Sequence, residues 1–350
     1  MIVDLSISEQ PDAERTGDVE NPRAPHVRPV VNTPRVPPHA EEIGVLTLSE
    51  VMDGLLATPR QLPAKAFYDE CGAYLFEEIT RLEEYYPTRT EREILTTRAR
   101  DIAAAIGQGS MLIEYGSGAA DKSRILLQAL RPRLYVPVDV SAEQLSRVAG
   151  ELGDEFPEMQ IRPMLADFTE PLVLPNDIAA LDAPRVGLFL GSTIGNFHPE
   201  QATTFVQGVH ATVGDSGMLL LGADLRKDPR ILHAAYNDAS GVTATFNRNV
   251  LRRLQREFAA RVDVEAFTHY AFYEPTHGRI EMHLVASRDT SMEIGGRTLR
   301  FAAGEGIWTE SSYKFTRPVL EQLASSAQMR LTHMWTDRRG WFSLNLYVGT

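Results

Sequence analysis

The sequence has little cysteine and little positive charge. Its 350 residues include one cysteine, Cys71, which cannot form an internal disulfide. The nine histidines show no zinc-ligand spacing, so no metal is expected. Lysine and arginine number 35 against 47 aspartates and glutamates, which gives a formal net charge of −12. Because nucleic-acid binding needs a basic surface, this balance argues against nucleic acid and favours a small-molecule partner.

Long hydrophobic runs are also lacking. The longest apolar stretches, such as residues 186–190 and 218–221, are far shorter than the roughly 20 residues that a membrane-spanning helix needs. The N-terminus carries Asp4 and Glu9 and lacks the basic start and apolar run of a secretory signal. We therefore expect no membrane partner and a cytoplasmic location.

The first part of the chain differs in composition from the rest. Residues 1–43 are rich in Pro, Arg, Glu and Val without any period, and we predict a disordered leader there. Beyond it, the spacing of leucine and isoleucine predicts three helices, over residues 46–62, 74–81 and 90–106. Pro63 stops the first of them.

From residue 111 onwards, short apolar runs alternate with helical segments. This alternation is typical of a parallel sheet that is covered by helices on both faces. The candidate strands are residues 111–115, 133–138, 160–165, 185–190 and 217–223. The helices between them are predicted at residues 122–130, 141–152 and 199–213. The sequence therefore predicts a doubly wound α/β domain.

The alternation stops after this sheet. Two helices, over residues 229–238 and 244–258, are followed by two strands, over residues 264–273 and 279–287, and these four elements predict a smaller α+β unit. A helix near residues 318–327 and strands at 330–336 and 341–348 close the chain. We expect the last two strands to return to the first sheet as an antiparallel edge pair.

A glycine turn follows the first candidate strand. The strand ends at Glu114, and Gly116 and Gly118 come before a helix that starts near Lys122. Glycines at that place let the backbone pass close to a ligand at the carboxyl end of a sheet. The next strand ends at Asp139, where a carboxylate can accept hydrogen bonds from both ribose hydroxyls. The pair predicts a nucleoside-like cofactor.

The charge around this turn distinguishes between cofactors. Dinucleotide sites place a third glycine where this chain has Asp121, and a carboxylate would oppose a pyrophosphate. S-adenosylmethionine carries no phosphate and has a sulfonium cation, so it tolerates the acids Glu114, Asp121 and Asp139. The third strand ends in Asp167 and Phe168, which would meet the adenine amino group and ring. The alternative for Asp167 is that it only caps a turn.

A second open loop follows the fourth strand. Its residues 189–196 include Gly191, Gly195 and Asn196 beside small polar side chains. In a doubly wound sheet this loop lies beside the crevice where the strand order reverses, and a methyl acceptor would meet the sulfonium there. A tight turn between strand and helix would explain Gly195 and Asn196 but not the whole run.

These residues resemble the L-histidine Nα-methyltransferases of ergothioneine biosynthesis over roughly residues 44–350. Besides the two loops, the strings that carry the resemblance are Phe67-Tyr68-Asp69, Ile79-Thr80-Arg81-Leu82, residues 85–91, Ala235-Tyr236, residues 241–249, Arg279-Ile280-Glu281-Met282, and Thr309-Glu310 with Ser312. The resemblance implies a class I methyltransferase sheet, Rossmann-like and doubly wound, and a smaller α+β substrate domain. The implied boundaries are 44–91 and 227–315 for the substrate domain, and 92–226 and 316–350 for the S-adenosylmethionine-binding domain.

The resemblance also assigns site residues by motif match. On the cofactor side the matching positions are Gly116, Lys122, Asp139, Asp167 and Phe168. On the substrate side they are Tyr68, Tyr85, Gly191, Asn196, Tyr236, Met282, Glu310 and Ser312. Asn196 and Tyr236 would hold the substrate carboxylate, and Gly191 and Tyr68 would lie near the α-amino group. Glu310 and Ser312 would bind the imidazole beside Tyr85 and Met282. Without the resemblance, Met282 would be interpreted as a core residue and Glu310 as a solvated acid.

The activity that the resemblance implies is transfer of three methyl groups to the α-amino nitrogen of L-histidine. The product would be Nα,Nα,Nα-trimethylhistidine (hercynine), the first intermediate of ergothioneine biosynthesis, and Tyr68 is the candidate catalytic residue. A monomer is expected. Three alternatives stay open at this point: an N-methyltransferase for another amino acid or biogenic amine, an NAD-dependent oxidoreductase, and a binding module without catalysis.

Overall fold

The computed structural model describes residues 45–350. The predicted leader, residues 1–43, lies outside the described residues. The helices are α1 (Leu48–Leu56), α2 (Glu70–Arg81), α3 (Pro87–Ile106), α4 (Ser123–Leu130), α5 (Ala142–Glu155), α6 (Asn176–Ala179), α7 (Pro199–Val213), α8 (Pro229–Tyr236), α9 (Val242–Phe258) and α10 (Arg317–Ser326). None of these helices is long and apolar enough to span a bilayer.

The strands fall into one large sheet and two small ones. They are β1 (Met111–Tyr115), β2 (Leu134–Asp139), β3 (Gln160–Ile161), β4 (Met164–Leu165), β5 (Arg185–Phe189), β6 (Met218–Asp224), β7 (Arg261–Val262), β8 (Phe267–Glu274), β9 (Arg279–Ala286), β10 (Thr290–Ile294), β11 (Arg297–Phe301), β12 (Gly306–Tyr313), β13 (Met329–Thr336) and β14 (Phe342–Gly349).

The large sheet has the predicted doubly wound core. Its strand order is β13-β14-β6-β5-β1-β2-β3, and β4 also pairs with β2. The pairs among β1 to β6 are parallel, whereas β14 pairs antiparallel with both β6 and β13. The predicted α/β class and the antiparallel C-terminal edge pair are therefore confirmed.

Both faces of this sheet are buried, which explains its continuous apolar strands. All five residues of β1 are buried. Met111, Ile113 and Tyr115 pack into one hydrophobic cluster, and Leu112 packs into another on the opposite face. This alternation is the period of two that a strand imposes on its side chains.

Several predicted elements have shifted ends in the structure, and two of them differ for a clear physical reason. The single strand predicted at residues 160–165 is divided into β3 and β4, because Pro163 lies between them and has no N–H to donate to a neighbouring strand. The helix predicted over residues 46–62 ends at Leu56. Pro59 disfavours helical backbone at Thr58, so the helix stops before the predicted end.

The smaller sheets have the orders β12-β9-β8 and β11-β10-β7. Strands β8 and β9 were predicted from the sequence, whereas β10, β11 and β12 were not. One hydrophobic cluster joins these sheets to α8, α9 and the segment that precedes α3. The pieces of this α+β unit therefore come from both sides of the large sheet in the sequence.

The end of β12 returns to the large sheet. The Phe315 N–H donates to the Asp224 carbonyl at 2.8 Å, and the Arg226 N–H donates to the Phe315 carbonyl at 2.9 Å. These bonds extend β6 beyond its last residue and place the end of β12 at the carboxyl edge of the large sheet. Because ligands of doubly wound sheets bind at this edge, the two units meet where a site is expected.

Candidate active site

The glycine turn after β1 has the backbone conformation that glycine permits. Gly116 has φ 68° and Gly118 has φ 51°, values that disfavour other residues. A Cβ atom at Gly116 would lie 3.2 Å from the Phe168 ring. The Gly118 N–H donates to Oδ2 of Asp139 at 3.1 Å. Gly116 therefore packs against the Phe168 ring with the Asp139 carboxylate close to the turn, and we call the group Gly116, Asp139, Asp167 and Phe168 the cradle.

Asp167 and Phe168 follow β4 at the same edge. Oδ1 of Asp167 accepts hydrogen bonds from the Thr169 N–H at 2.9 Å and from the Thr169 hydroxyl at 2.7 Å. These are the contacts of a turn cap, the alternative considered for this residue. The Phe168 ring contacts Phe189 edge-on, with ring centroids 5.7 Å apart. The structure thus brings all the predicted cofactor residues except Lys122 to this one cradle.

Two of the acids near the turn contribute less to its charge than their positions in the sequence suggest. Glu114 is buried and accepts hydrogen bonds from the hydroxyls of Ser123 and Tyr135. Burial raises the pKa of Glu114 to about 7, so a large fraction of it is neutral at physiological pH. Asp121 lies on the surface and pairs with Arg124 at 2.9 Å. Asp139 and Asp167 are the carboxylates at the cradle itself.

Glu91 connects the cofactor side to the second loop. Its side chain is fully buried near the start of α3, and Oε2 accepts a hydrogen bond from Nζ of Lys122 at 2.6 Å. The Gly191 N–H donates to the same carboxylate, at 2.8 Å to Oε1 and 3.0 Å to Oε2. Gly191 has φ 78°, and a Cβ there would lie 3.0 Å from the lysine ammonium. One carboxylate therefore fixes both Lys122 and the loop.

A cavity adjoins this loop and is lined by every predicted substrate residue. These residues are Tyr68, Tyr85, Gly191, Asn196, Tyr236, Met282, Glu310 and Ser312. They come from the segments before α2 and α3, the loop after β5, the end of α8, and strands β9 and β12. The structure thus gathers residues that lie more than 200 positions apart in the sequence.

Strand geometry places the residues proposed for the imidazole. Glu310 on β12 is paired directly with Met282 on β9, after an irregularity in register between Trp308 and Glu310. Ser312 follows two positions later, so its side chain lies on the same face as that of Glu310. Burial raises the pKa of Glu310 to about 7, and the nearby charge of Lys314 limits the rise.

A buried polar cluster closes one end of the cavity. Asp224, at the end of β6, forms ion pairs with Lys227 and with Lys314. The Tyr86 hydroxyl donates to both carboxylate oxygens, at 2.9 and 2.7 Å. Burial alone would raise the pKa of Asp224, but the two lysines outweigh it and hold that pKa below its usual value. The carboxylate therefore stays ionised.

The sequence interpretation assigned no role to Glu91, Asp224 or Lys314. Glu91 was present in a matched string, and Lys314 continues the every-second-residue spacing of Glu310 and Ser312, so a signal existed for both. Asp224 gave no signal, because its partners Tyr86 and Lys314 lie at distant positions in the chain. No group of three or more potential metal ligands occurs within residues 45–350.

The chain is similar to known proteins over most of its length. A family model described as "Histidine-specific methyltransferase, SAM-dependent" matches residues 47–348. The histidine N-alpha-methyltransferase of Mycolicibacterium smegmatis is 44% identical over 85% of this chain and 94% of that protein. The enzyme of the same name from Mycobacterium tuberculosis is 41% identical over 87% of this chain and 96% of that protein. Ergothioneine biosynthesis protein 1 of Neurospora crassa is 33% identical over 79% of this chain but 32% of its own length.

The raised pKa of Glu310 predicts a pH-dependent stability. The folded-state pKa of about 7 exceeds the ordinary value of 4.5, so the folded protein binds more protons than the unfolded chain between these values. This carboxyl therefore lowers the free energy of unfolding as pH rises through that window. We expect the free energy of unfolding of Glu310→Gln, relative to that of the wild type, to be about 1–3 kcal/mol higher at pH 8 than at pH 5.

Urea unfolding of both proteins at pH 5, 6, 7 and 8 measures this difference. Glu305→Gln, which changes a partly exposed carboxylate that pairs with Arg60, is the matched control and should show no such trend. A difference between Glu310→Gln and wild type that stays constant from pH 5 to 8 would contradict the assignment.

Proposed function

Because this chain belongs to the family of histidine-specific, S-adenosylmethionine-dependent methyltransferases, we propose that it catalyses the first step of ergothioneine biosynthesis. It transfers three methyl groups from S-adenosylmethionine to the α-amino nitrogen of L-histidine and forms Nα,Nα,Nα-trimethylhistidine. The observation that carries this proposal is the convergence of Met282, Glu310 and Ser312 on the cavity beside Gly191. The family match favours methyl transfer over the oxidoreductase and binding-module alternatives.

The cavity residues suit the groups of histidine. Glu310 accepts a hydrogen bond from one imidazole N–H, and Ser312 serves the other ring nitrogen. Met282, paired with Glu310 across the sheet, packs on the ring as an adaptable apolar wall. An apolar amino acid would leave Glu310 and Ser312 buried without partners, and the cavity would reject it for that reason.

The other end of the amino acid faces the loop after β5. Asn196 and Tyr236 hold the carboxylate, and Gly191 and Tyr68 lie near the α-amino group. This orientation directs the amine towards Lys122 and the glycine turn, because Glu91 holds Gly191 and Lys122 together. The acceptor nitrogen and the cofactor side of the site therefore share one rigid support.

The cradle residues would hold the adenosyl group of S-adenosylmethionine. Gly116 would let the backbone pass close to the ligand, Asp139 would accept hydrogen bonds from the ribose hydroxyls, and Phe168 would pack on the adenine. Asp167 would accept from the adenine amino group through the carboxylate oxygen not used by Thr169, and Lys122 would meet the methionyl end. When bound, S-adenosylmethionine supplies the methyl group on a sulfonium.

Positioning contributes most to catalysis in this site. Tyr68 is about half exposed, at 47%, on the cavity wall, and its hydroxyl orients the α-amine or relays its proton through water. The ring of Phe76 lies between those of Tyr68 and Tyr85, with centroid distances of 6.3 and 6.2 Å. These rings favour the growing quaternary ammonium through cation–π attraction.

The domain division is part of the proposal. Residues 44–91 and 227–315 form the substrate domain, and residues 92–226 and 316–350 form the S-adenosylmethionine-binding domain. The hydrophobic cluster that joins α1 and α2 to β8 and β9 supports this division. The cytoplasmic location and the monomeric state stay predictions from the sequence.

Mass spectrometry tests the reaction directly. The purified protein, incubated with L-histidine and S-adenosylmethionine, should produce mono-, di- and trimethylhistidine in order, with S-adenosylhomocysteine released at each step. L-tryptophan, L-tyrosine and biogenic amines serve as competing substrates. Faster methylation of any of these than of histidine would defeat the assignment of the substrate.

The role of Tyr68 predicts a defect in rate. Tyr68→Phe removes the hydroxyl that orients or relays the amine proton, and we expect kcat to fall roughly 10- to 100-fold. Affinity for S-adenosylhomocysteine, measured by calorimetry, should be unchanged. Tyr74→Phe is the matched control, because Tyr74 is 60% exposed on α2. An unaltered kcat in Tyr68→Phe would remove the hydroxyl from the mechanism.

Glu91 predicts a linked loss of binding for both substrates. Glu91→Gln preserves the size of the side chain but removes the charge that pairs with Lys122, and its amide cannot accept from Gly191 and Lys122 equally. We expect kcat/KM to fall about 10- to 100-fold for both histidine and S-adenosylmethionine. Glu93→Gln, on the same helix and partly exposed, is the control. A defect confined to one substrate would refute the coupling.

A further inference from the structure

Lys314 is a charged residue of the cavity that the roles proposed above do not use. It follows β12 directly, two residues after Ser312 and four after Glu310, so the three side chains share one face of the extended chain. Its side chain is 1% exposed, and it is the cationic residue among those that line the cavity. A buried ammonium is costly unless its hydrogen bonds are made.

All three hydrogens of this ammonium have partners. Nζ lies 2.9 Å from Oδ2 of Asp224, 2.9 Å from the Tyr236 hydroxyl and 2.7 Å from Oγ of Ser312. An ammonium only donates, so both hydroxyl oxygens accept from it. Tyr236 and Ser312 also lie 2.7 Å apart, so one of their two protons joins them and the other is available to the cavity. Lys314 thereby leaves one proton of this pair to be donated towards a ligand.

Asp224 only partly balances the positive charge of Lys314, because Lys227 pairs with the same carboxylate. Lys227 does not line the cavity. Burial lowers the pKa of Lys314, but Asp224 outweighs that effect and raises it above the usual value, so the ammonium persists at neutral pH. Glu310, the other acid of the cavity, has a pKa raised to about 7 by burial and balances this charge incompletely.

We propose that Lys314 is a specificity-determining positioning residue, which makes the cavity require an α-carboxylate by holding one hydroxyl of the Tyr236–Ser312 pair as a hydrogen-bond donor beside a buried positive charge. The inference rests on the proposed function and identifies its substrate class more closely, as amino acids and not the corresponding amines. A substrate without the carboxylate leaves the charge and a hydroxyl donor without an acceptor, and the cavity rejects it for that reason.

The test compares L-histidine with histamine, which has the same imidazole and amine but lacks the carboxylate. Dissociation constants for both are measured by calorimetry with S-adenosylhomocysteine bound, and their ratio gives the preference for a carboxylate. We expect Lys314→Met to lower this preference about 10- to 100-fold, mainly through weaker histidine binding. Arg230→Met, which removes an exposed cation of α8 that pairs with Asp228, is the control and should leave the preference close to that of the wild type.

A purely structural role for Lys314 predicts a different result. If Lys314 acts only through the net charge of the Asp224 cluster, the double variant Asp224→Asn/Lys314→Met restores the one net positive charge of the wild-type cluster and recovers the wild-type preference. Our proposal predicts that the preference for a carboxylate stays low in the double variant. The same measurement on the double variant replaces that on Lys314→Met if the single variant is too unstable to purify. A preference unchanged in Lys314→Met, or restored in the double variant, overturns the role of Lys314.

The wild-type protein separates this test from that of the proposed function. If it fails to methylate histidine, the proposed function is wrong. If it methylates histidine and the preference survives the loss of Lys314, only the present inference is wrong.

Discussion

The geometry of the site depends on one buried carboxylate, that of Asp224. It lies at the end of β6 and accepts hydrogen bonds from Tyr86, Lys227 and Lys314, so it holds the segment before α3, the end of the large sheet and the end of β12 together. Its backbone contributes as well, because the Asp224 N–H donates to Oγ of Ser192 in the loop after β5, at 2.9 Å. Removal of one partner from a buried ion pair costs about 3–5 kcal/mol. The cavity therefore exists only where these segments are assembled.

Two carboxyl groups of the same cavity have different chemistry because their surroundings differ. Asp224 has two lysines and a tyrosine hydroxyl around it, which keep it ionised and make it a fixed support. Glu310 is paired with Met282 across the sheet, and burial raises its pKa to about 7. A carboxyl group with that pKa accepts a hydrogen bond from a neutral imidazole when ionised, and its charge costs little when it is paired with a ligand. Because their pKa values differ, Asp224 serves as a structural support and Glu310 serves to bind the ligand.

Local patterns in the sequence determine most of the large sheet. Continuous apolar runs predicted β1, β2, β5 and β6, and the C-terminal edge pair was found from two further runs. The strands β10 and β11 were missed because they have only five residues each, three of them polar, and β12 was missed because the polar residues 309–312 interrupt its apolar run. Residues alone predicted the nucleoside site, whereas Met282 and Glu310 were recognised only through the family resemblance. The role of Asp224 was beyond prediction, since Tyr86 and Lys314 lie 138 and 90 positions away and only the fold brings them to it.

We infer that the Asp224 cluster fixes the orientation of an amino acid between Glu310 and the loop that begins at Gly191. A crystal structure of the protein with S-adenosylhomocysteine and L-histidine tests it most directly. We expect the imidazole of the bound histidine to lie between Glu310 and Ser312, its carboxylate at Asn196 and Tyr236, and its α-amine to point at the sulfur. Histidine bound in the reverse orientation, or outside this cavity, would contradict it.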